Sequence, residues 1–128
     1  MSQPLDTGVL MAARFGLANG PPVRLRLARP SDRAGVTQLL QRRGIAPDEL
    51  EVERLLRHDP RERTVLCALT WTGRQELVTG IGAIDFGALE PAALVADERV
   101  APGVGELLWH ALLDRSGNSD IQLALFRD

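Results

Sequence analysis

Apolar and charged residues alternate at Val23-Arg24-Leu25-Arg26-Leu27, the period of two expected of a half-buried strand. Pro30-Ser31-Asp32 then opens a helix, with Ser31 or Asp32 as N-cap and Ala34, Val36, Leu39 and Leu40 as its apolar face. Gly44 after Arg42-Arg43 stops it. A second helix begins near Pro47-Asp48 and carries Leu50, Val52, Leu55 and Leu56 as far as His58-Asp59-Pro60. Its acidic start and arginine-rich end suit the helix dipole. Thr64 to Trp71 reads as a strand, Thr72-Gly73-Arg74-Gln75 as a turn and Glu76 to Phe86 as the return strand. Gly80 and Gly82 inside that strand predict a bulge or a close backbone approach. Pro91 to Val95 gives a short buried strand, and a glycine-containing loop leads into a helix from Gly105 to Ser116. Leu107, Leu108, Ala111 and Leu112 form that helix's apolar stripe. Gly117-Asn118 ends it, and Ile121 to Phe126 reads as a last strand. The order is β-α-α-β-β-β-α-β, without internal repeat or low-complexity segment.

Residues 1–22 precede this pattern as an N-terminal arm. Leu5, Val9, Leu10, Met11, Phe15 and Leu17 would serve a short helix, which Gly16, Gly20, Pro21 and Pro22 end. A docked or partner-contacting arm and a free tail both satisfy the sequence.

Composition narrows the chemistry more than the fold. The 128 residues, 45% hydrophobic and 25% charged, suit one globular domain. The net charge of −2, from 15 basic and 17 acidic residues, supplies no field for nucleic acid or an anionic membrane. Arginines 24, 26, 29, 42 and 43 are balanced by Asp48, Glu49, Glu51 and Glu53, and aromatics for base stacking are scarce. No apolar run is long enough for a membrane span, and no signal peptide precedes the fold, so a cytoplasmic protein is expected. All basic residues besides His58 and His110 are arginine, and tyrosine is absent, which excludes Schiff-base lysine chemistry and a phenolic general acid within the chain. The two histidines offer no metal-ligand spacing, so no metal site is expected. His58 reads as a helix C-terminal cap and His110 as a helix-surface or interface residue. The lone Cys67, between Leu66 and Ala68, reads as a buried small hydrophobe, and Trp71 and Trp109 as core or interface anchors.

The element order, with a Gly-x-Gly turn between the fourth strand and the next helix, resembles the GNAT superfamily of acyl-CoA-dependent N-acetyltransferases. The resemblance runs from Val23 to Phe126. Val23 to Asp32 looks like the family's opening strand and first helix, and Val78-Thr79-Gly80-Ile81-Gly82-Ala83 is similar to its third strand. Leu94 to Gly105 would be its acetyl-CoA motif. The fold so implied is α/β (α+β): a mixed, largely antiparallel twisted sheet with helices on both faces. The resemblance also implies acetyl-CoA as cosubstrate, held by the Leu94, Val95 and Ala96 backbone and by Gly103, Val104 and Gly105. A bound water or Glu90 would be the general base in acetyl transfer to a small-molecule or protein amine. Its physical logic is that a helix N-terminus behind glycines offers unpaired N–H groups to a pyrophosphate.

The chain also departs from the family. The motif's Gln/Arg position falls on Val100, Pro102 removes an N–H from the loop, and Glu106 puts a carboxylate in the first helical turn. The sequence stops at Asp128, where the family usually adds a helix and two strands, often with a tyrosine acid. Residues 23–128 are therefore expected to be a GNAT-like domain lacking that C-terminal part, with a homodimer or partner chain covering the last strand, or a fragment of a longer protein. Two functions follow from these residues: an N-acetyltransferase, or a non-catalytic GNAT-like module serving dimerisation or regulation of a partner protein.

Overall fold

The computed structural model describes residues 14–15, 21–57, 59 and 61–116. Its elements are β1 (Arg14–Phe15), β2 (Val23–Leu27), a 3-10 turn (Pro30–Asp32), α1 (Arg33–Arg42), α2 (Glu49–Leu56), β3 (Arg63–Trp71), β4 (Glu76–Asp85), β5 (Ala93–Ala96) and α3 (Val104–Asp114). The strands form one sheet in the order β1-β2-β3-β4-β5, each pair antiparallel. The result is an α+β fold: four antiparallel strands, extended by the two-residue β1, with three helices.

Side-chain alternation along the strands divides the core in two. Val23 and Leu25 of β2, Leu66 and Ala68 of β3 and Ile84 of β4 pack under Val104, Leu108, Ala111 and Leu112 of α3. On the opposite face Val65, Cys67 and Leu69 of β3 and Ile81 and Ala83 of β4 meet Val36 and Leu39 of α1 and Val52 and Leu56 of α2. Helices therefore cover both faces, and β3 and β4 are buried on both sides, which explains their nearly unbroken apolar runs.

The glycines of β4 set the distance to α3. A Cβ on Gly80 would lie 2.5 Å from Leu108 Cδ1, and one on Gly82 2.6 Å from Leu112 Cδ1. The register with β3 shifts between Ala68 and Leu69, whose partners are Gly80 and Val78, so Thr79 is the extra residue of a bulge. Its hydroxyl shares a 2.9 Å hydrogen bond with the buried Thr70 hydroxyl. Both readings of the glycine-bearing strand, bulge and close approach, hold in this one strand.

Several local expectations are corrected. Within the N-terminal arm, where a short helix was expected, Arg14 and Phe15 pair with Arg24 and Val23, because β2 otherwise presents an unpaired backbone edge. Asp32 stands at the N-cap of α1 but makes no side-chain cap bond there. Its carboxylate instead accepts the Arg29 N–H at 2.7 Å and grips Arg26 through contacts of 2.8 and 2.6 Å. β5 runs from Ala93 to Ala96 and is half-exposed, not buried, since it is the terminal strand of the described sheet. Leu50 is 57% exposed, off the apolar face expected of it; Trp71 is 50% and Trp109 40% exposed, so of their two readings, core or interface anchor, the core one fails. The expected last strand, Ile121 to Phe126, and His58 lie outside the described residues.

Candidate functional site: the turn between β5 and α3

The two ends of β5 separate the predicted site residues. Glu90 is exposed in the loop that precedes the strand, while Gly103, Val104 and Gly105 follow its far end. Leu94, Val95 and Ala96 form the strand itself. The fold does bring Gly105 onto β5: a Cβ there would sit 3.3 Å from Ala96 Cβ and 3.9 Å from Leu94 Cδ2. Glu90 does not share this end of the sheet.

The turn takes its shape from Asp97, which is 4% exposed. Its N–H donates to the Thr79 carbonyl at the β4 bulge (2.7 Å), and its carbonyl accepts the Ala101 N–H (3.1 Å). Oδ1 accepts the N–H groups of Arg99 and Val100 at 3.2 and 3.4 Å. Oδ2 accepts Arg42 Nε at 2.8 Å, and the same guanidinium donates through Nη2 to the Val78 carbonyl at 2.7 Å. Burial opposes the charge on Asp97, but the hydrogen bonds from Arg42, Val100 and Arg99 outweigh it and hold the carboxyl below its ordinary range. One ion pair thus joins α1, the β4 bulge and the turn.

Gly103 then takes φ +92° as the N-cap of α3, a backbone conformation that favours glycine. The adjoining N–H groups converge on a side chain of the same turn. Oε1 of Glu98 accepts the Gly103 N–H at 2.6 Å, and Oε2 accepts the Gly105 N–H at 2.8 Å. The Val104 N–H donates to the Ala101 carbonyl at 3.0 Å, and Pro102 has no N–H. From Arg99 to Gly105 every backbone donor has a partner within the turn. A cofactor pyrophosphate therefore does not fit the turn in this arrangement. The two N–H groups it would need are taken, and it would meet the Glu98 carboxylate with Glu106 close behind.

Asp97 and Glu98 fall inside the motif read from the sequence, yet the pattern gave neither a role. The available signal was a pair of acids shortly before a Gly-x-Gly turn, at the point where an anion-binding turn would avoid them.

A second concavity, an open groove of about 450 Å³, lies between the α1–α2 pair and β4–β5. Its floor is Val36, Leu40, Val52, Ile81 and Val95, and both Glu51 and Arg54 stand on its rim. Cys67 lies in the core on that same side of the sheet. Burial pushes its thiol up to about 12, and Asp32, whose Oδ2 is 3.7 Å from Sγ, adds to the shift. It is no nucleophile at neutral pH. Among the described residues no three His, Cys, Asp or Glu side chains group as metal ligands, and no helix is long and apolar enough to cross a membrane. No protein-family model matches the chain, and neither does any curated protein.

Proposed function

We propose that this chain is a non-catalytic GNAT-like module that serves association with a protein partner, a second copy in the simplest case, and that it does not transfer acetyl groups. The observation that carries the reading is Glu98, whose carboxylate takes both glycine N–H groups that acetyl-CoA would need. The acetyltransferase reading loses its cofactor contact there, and Glu90, its proposed base, sits in the loop at the opposite end of β5. The half-exposed β5, terminal in the described sheet, is the edge a partner strand would extend.

The test is calorimetric titration of acetyl-CoA into the 128-residue chain, with the mass in solution measured on the same sample by light scattering. No heat at millimolar acetyl-CoA, together with a mass that rises with protein concentration, is the expected result. A saturable one-to-one event at micromolar ligand, lost in Gly103→Val, overturns it and returns the chain to the acyltransferases.

A further inference from the structure

We infer that the outer edge of β5 is a self-pairing surface: a second copy of this chain adds its own β5 antiparallel to it, about a two-fold axis at Val95. The inference deepens the proposed function above and rests on it, naming the partner as a second copy and fixing the register of the contact.

The backbone sets that register. Val95 and Ala93 turn their carbonyls toward β4, where a Cβ on Gly80 or Gly82 would lie 3.4 Å from the respective oxygen, and the Asp97 N–H donates to the Thr79 carbonyl. In an antiparallel strand the N–H and C=O of one residue point the same way, and successive residues alternate. Leu94 and Ala96 therefore direct theirs away from β4, to the side where the described sheet ends. An axis at Val95 uses both residues at once, because Leu94 of each copy exchanges its two bonds with Ala96 of the other. An axis at Leu94 or at Ala96 would satisfy only the residue on it, since the other would then face a position outside β5.

The side chains fit the same register. Leu94 and Ala96 pack toward the α3 cluster, so a large side chain meets a small one twice. Val95 packs toward the opposite cluster and meets its own copy there as a non-hydrogen-bonded pair, with Cα atoms about 4.5 Å apart. Ala93 and Val95 also line the groove of about 450 Å³, so the pairing sets the apolar floor of one copy beside that of the other. Ala93–Ala96 carries no charge, proline or bulge, the devices that keep an edge strand single.

Charge completes the match. Glu90 precedes β5 and Arg99 follows it, and both are exposed. Antiparallel pairing brings the start of each strand to the end of the other, so Glu90 of each copy shares an end of the interface with the oppositely charged Arg99. The other carboxylates at that end are already engaged, Asp97 by Arg42 and Glu98 by the Gly103 and Gly105 N–H groups. Parallel pairing would set like charges together and is disfavoured.

The test uses the full chain, with association followed by light scattering and the register by cysteine crosslinking. The mass is expected to rise from one chain toward two with concentration. E90R and R99E are each expected to weaken association about tenfold, and E90R/R99E to return it to within about threefold of wild type. V95C should yield a two-chain band on mild oxidation and L94C should not, because only residue 95 faces its own copy. If the mass rises but V95C crosslinks no better than L94C, or the charge reversals have no effect, this inference fails and the proposed function stands. A chain monomeric at every concentration also overturns it, leaving the edge to a different strand, of this chain or of another protein. Saturable acetyl-CoA binding, by contrast, overturns the proposed function whether or not V95C crosslinks.

Discussion

Cys67 illustrates what one position can disclose in the sequence. A lone cysteine between Leu66 and Ala68 in an apolar run could be read as core, and it is fully buried. The ion pair beneath it could not be read. Arg26 looked like the solvent side of an alternating strand, yet it lies beside Cys67 in the β2–β3 register and is clasped by Asp32 under the 3-10 turn. Alternation records which residues share a face, and it does not record whether a helix covers the second face. The same limit hid Glu98, because a carboxylate seven residues from the N–H that it binds follows no helical or strand period. With its thiol pushed up to about 12 and no exposed surface, Cys67 is expected to resist Ellman's reagent in native buffer and to react rapidly in urea. Fast labelling of the native chain would contradict that burial.

At the scale of elements, β2 to β5 and the three helices were legible because each rests on a local period or a local stop, whereas the two-residue β1 was not. The start of α2 is one case: read near Pro47-Asp48, it is capped by Asp48, which accepts the Leu50 and Glu51 N–H groups. The burial of β5 was not legible, since it depends on which strand ends the sheet, and no local period encodes strand order. The exposure of Leu50 is similar: its place on the α2 surface is decided by where α1 lies. By contrast, the close approach signalled by Gly80 and Gly82 belongs to the sequence and is met by α3. Leu108 and Leu112 are fully buried, so their side chains have little room to withdraw from an added Cβ. Gly82→Val is expected to lower stability by about 2 kcal/mol through overpacking, read as a fall in the urea midpoint with unchanged slope. A neutral effect would mean that α3 does not press on β4 as described.

Across the whole molecule, two apolar clusters are held to one sheet, and two carboxylate locks tie α1 into it. Asp32 ties β2 to the start of α1, and Asp97 ties α1 to the β5–α3 turn. Burial opposes the charge on Asp32, but Arg26 and the Arg29 N–H prevail, so its carboxyl, like that of Asp97, sits below the usual range. A depressed carboxyl stabilises the fold fully above its unfolded value of about 4, and that stability is lost as pH falls toward the folded value. The urea midpoint is thus expected to stay level from about pH 7 to pH 5 and to fall below about pH 4. Asp97→Asn should start lower at neutral pH and decline less steeply. A midpoint that rose on acidification would show that neither pair contributes. The pairing of the strands also orders events in time. β3 and β4 are joined by the short turn Thr72–Gln75, whereas β2 reaches β3 only after α1 and α2 have intervened. Closing that longer span costs about 3 kcal/mol of chain entropy before any contact repays it. The hairpin is therefore expected to form before β2 docks upon it, with that docking the slower step.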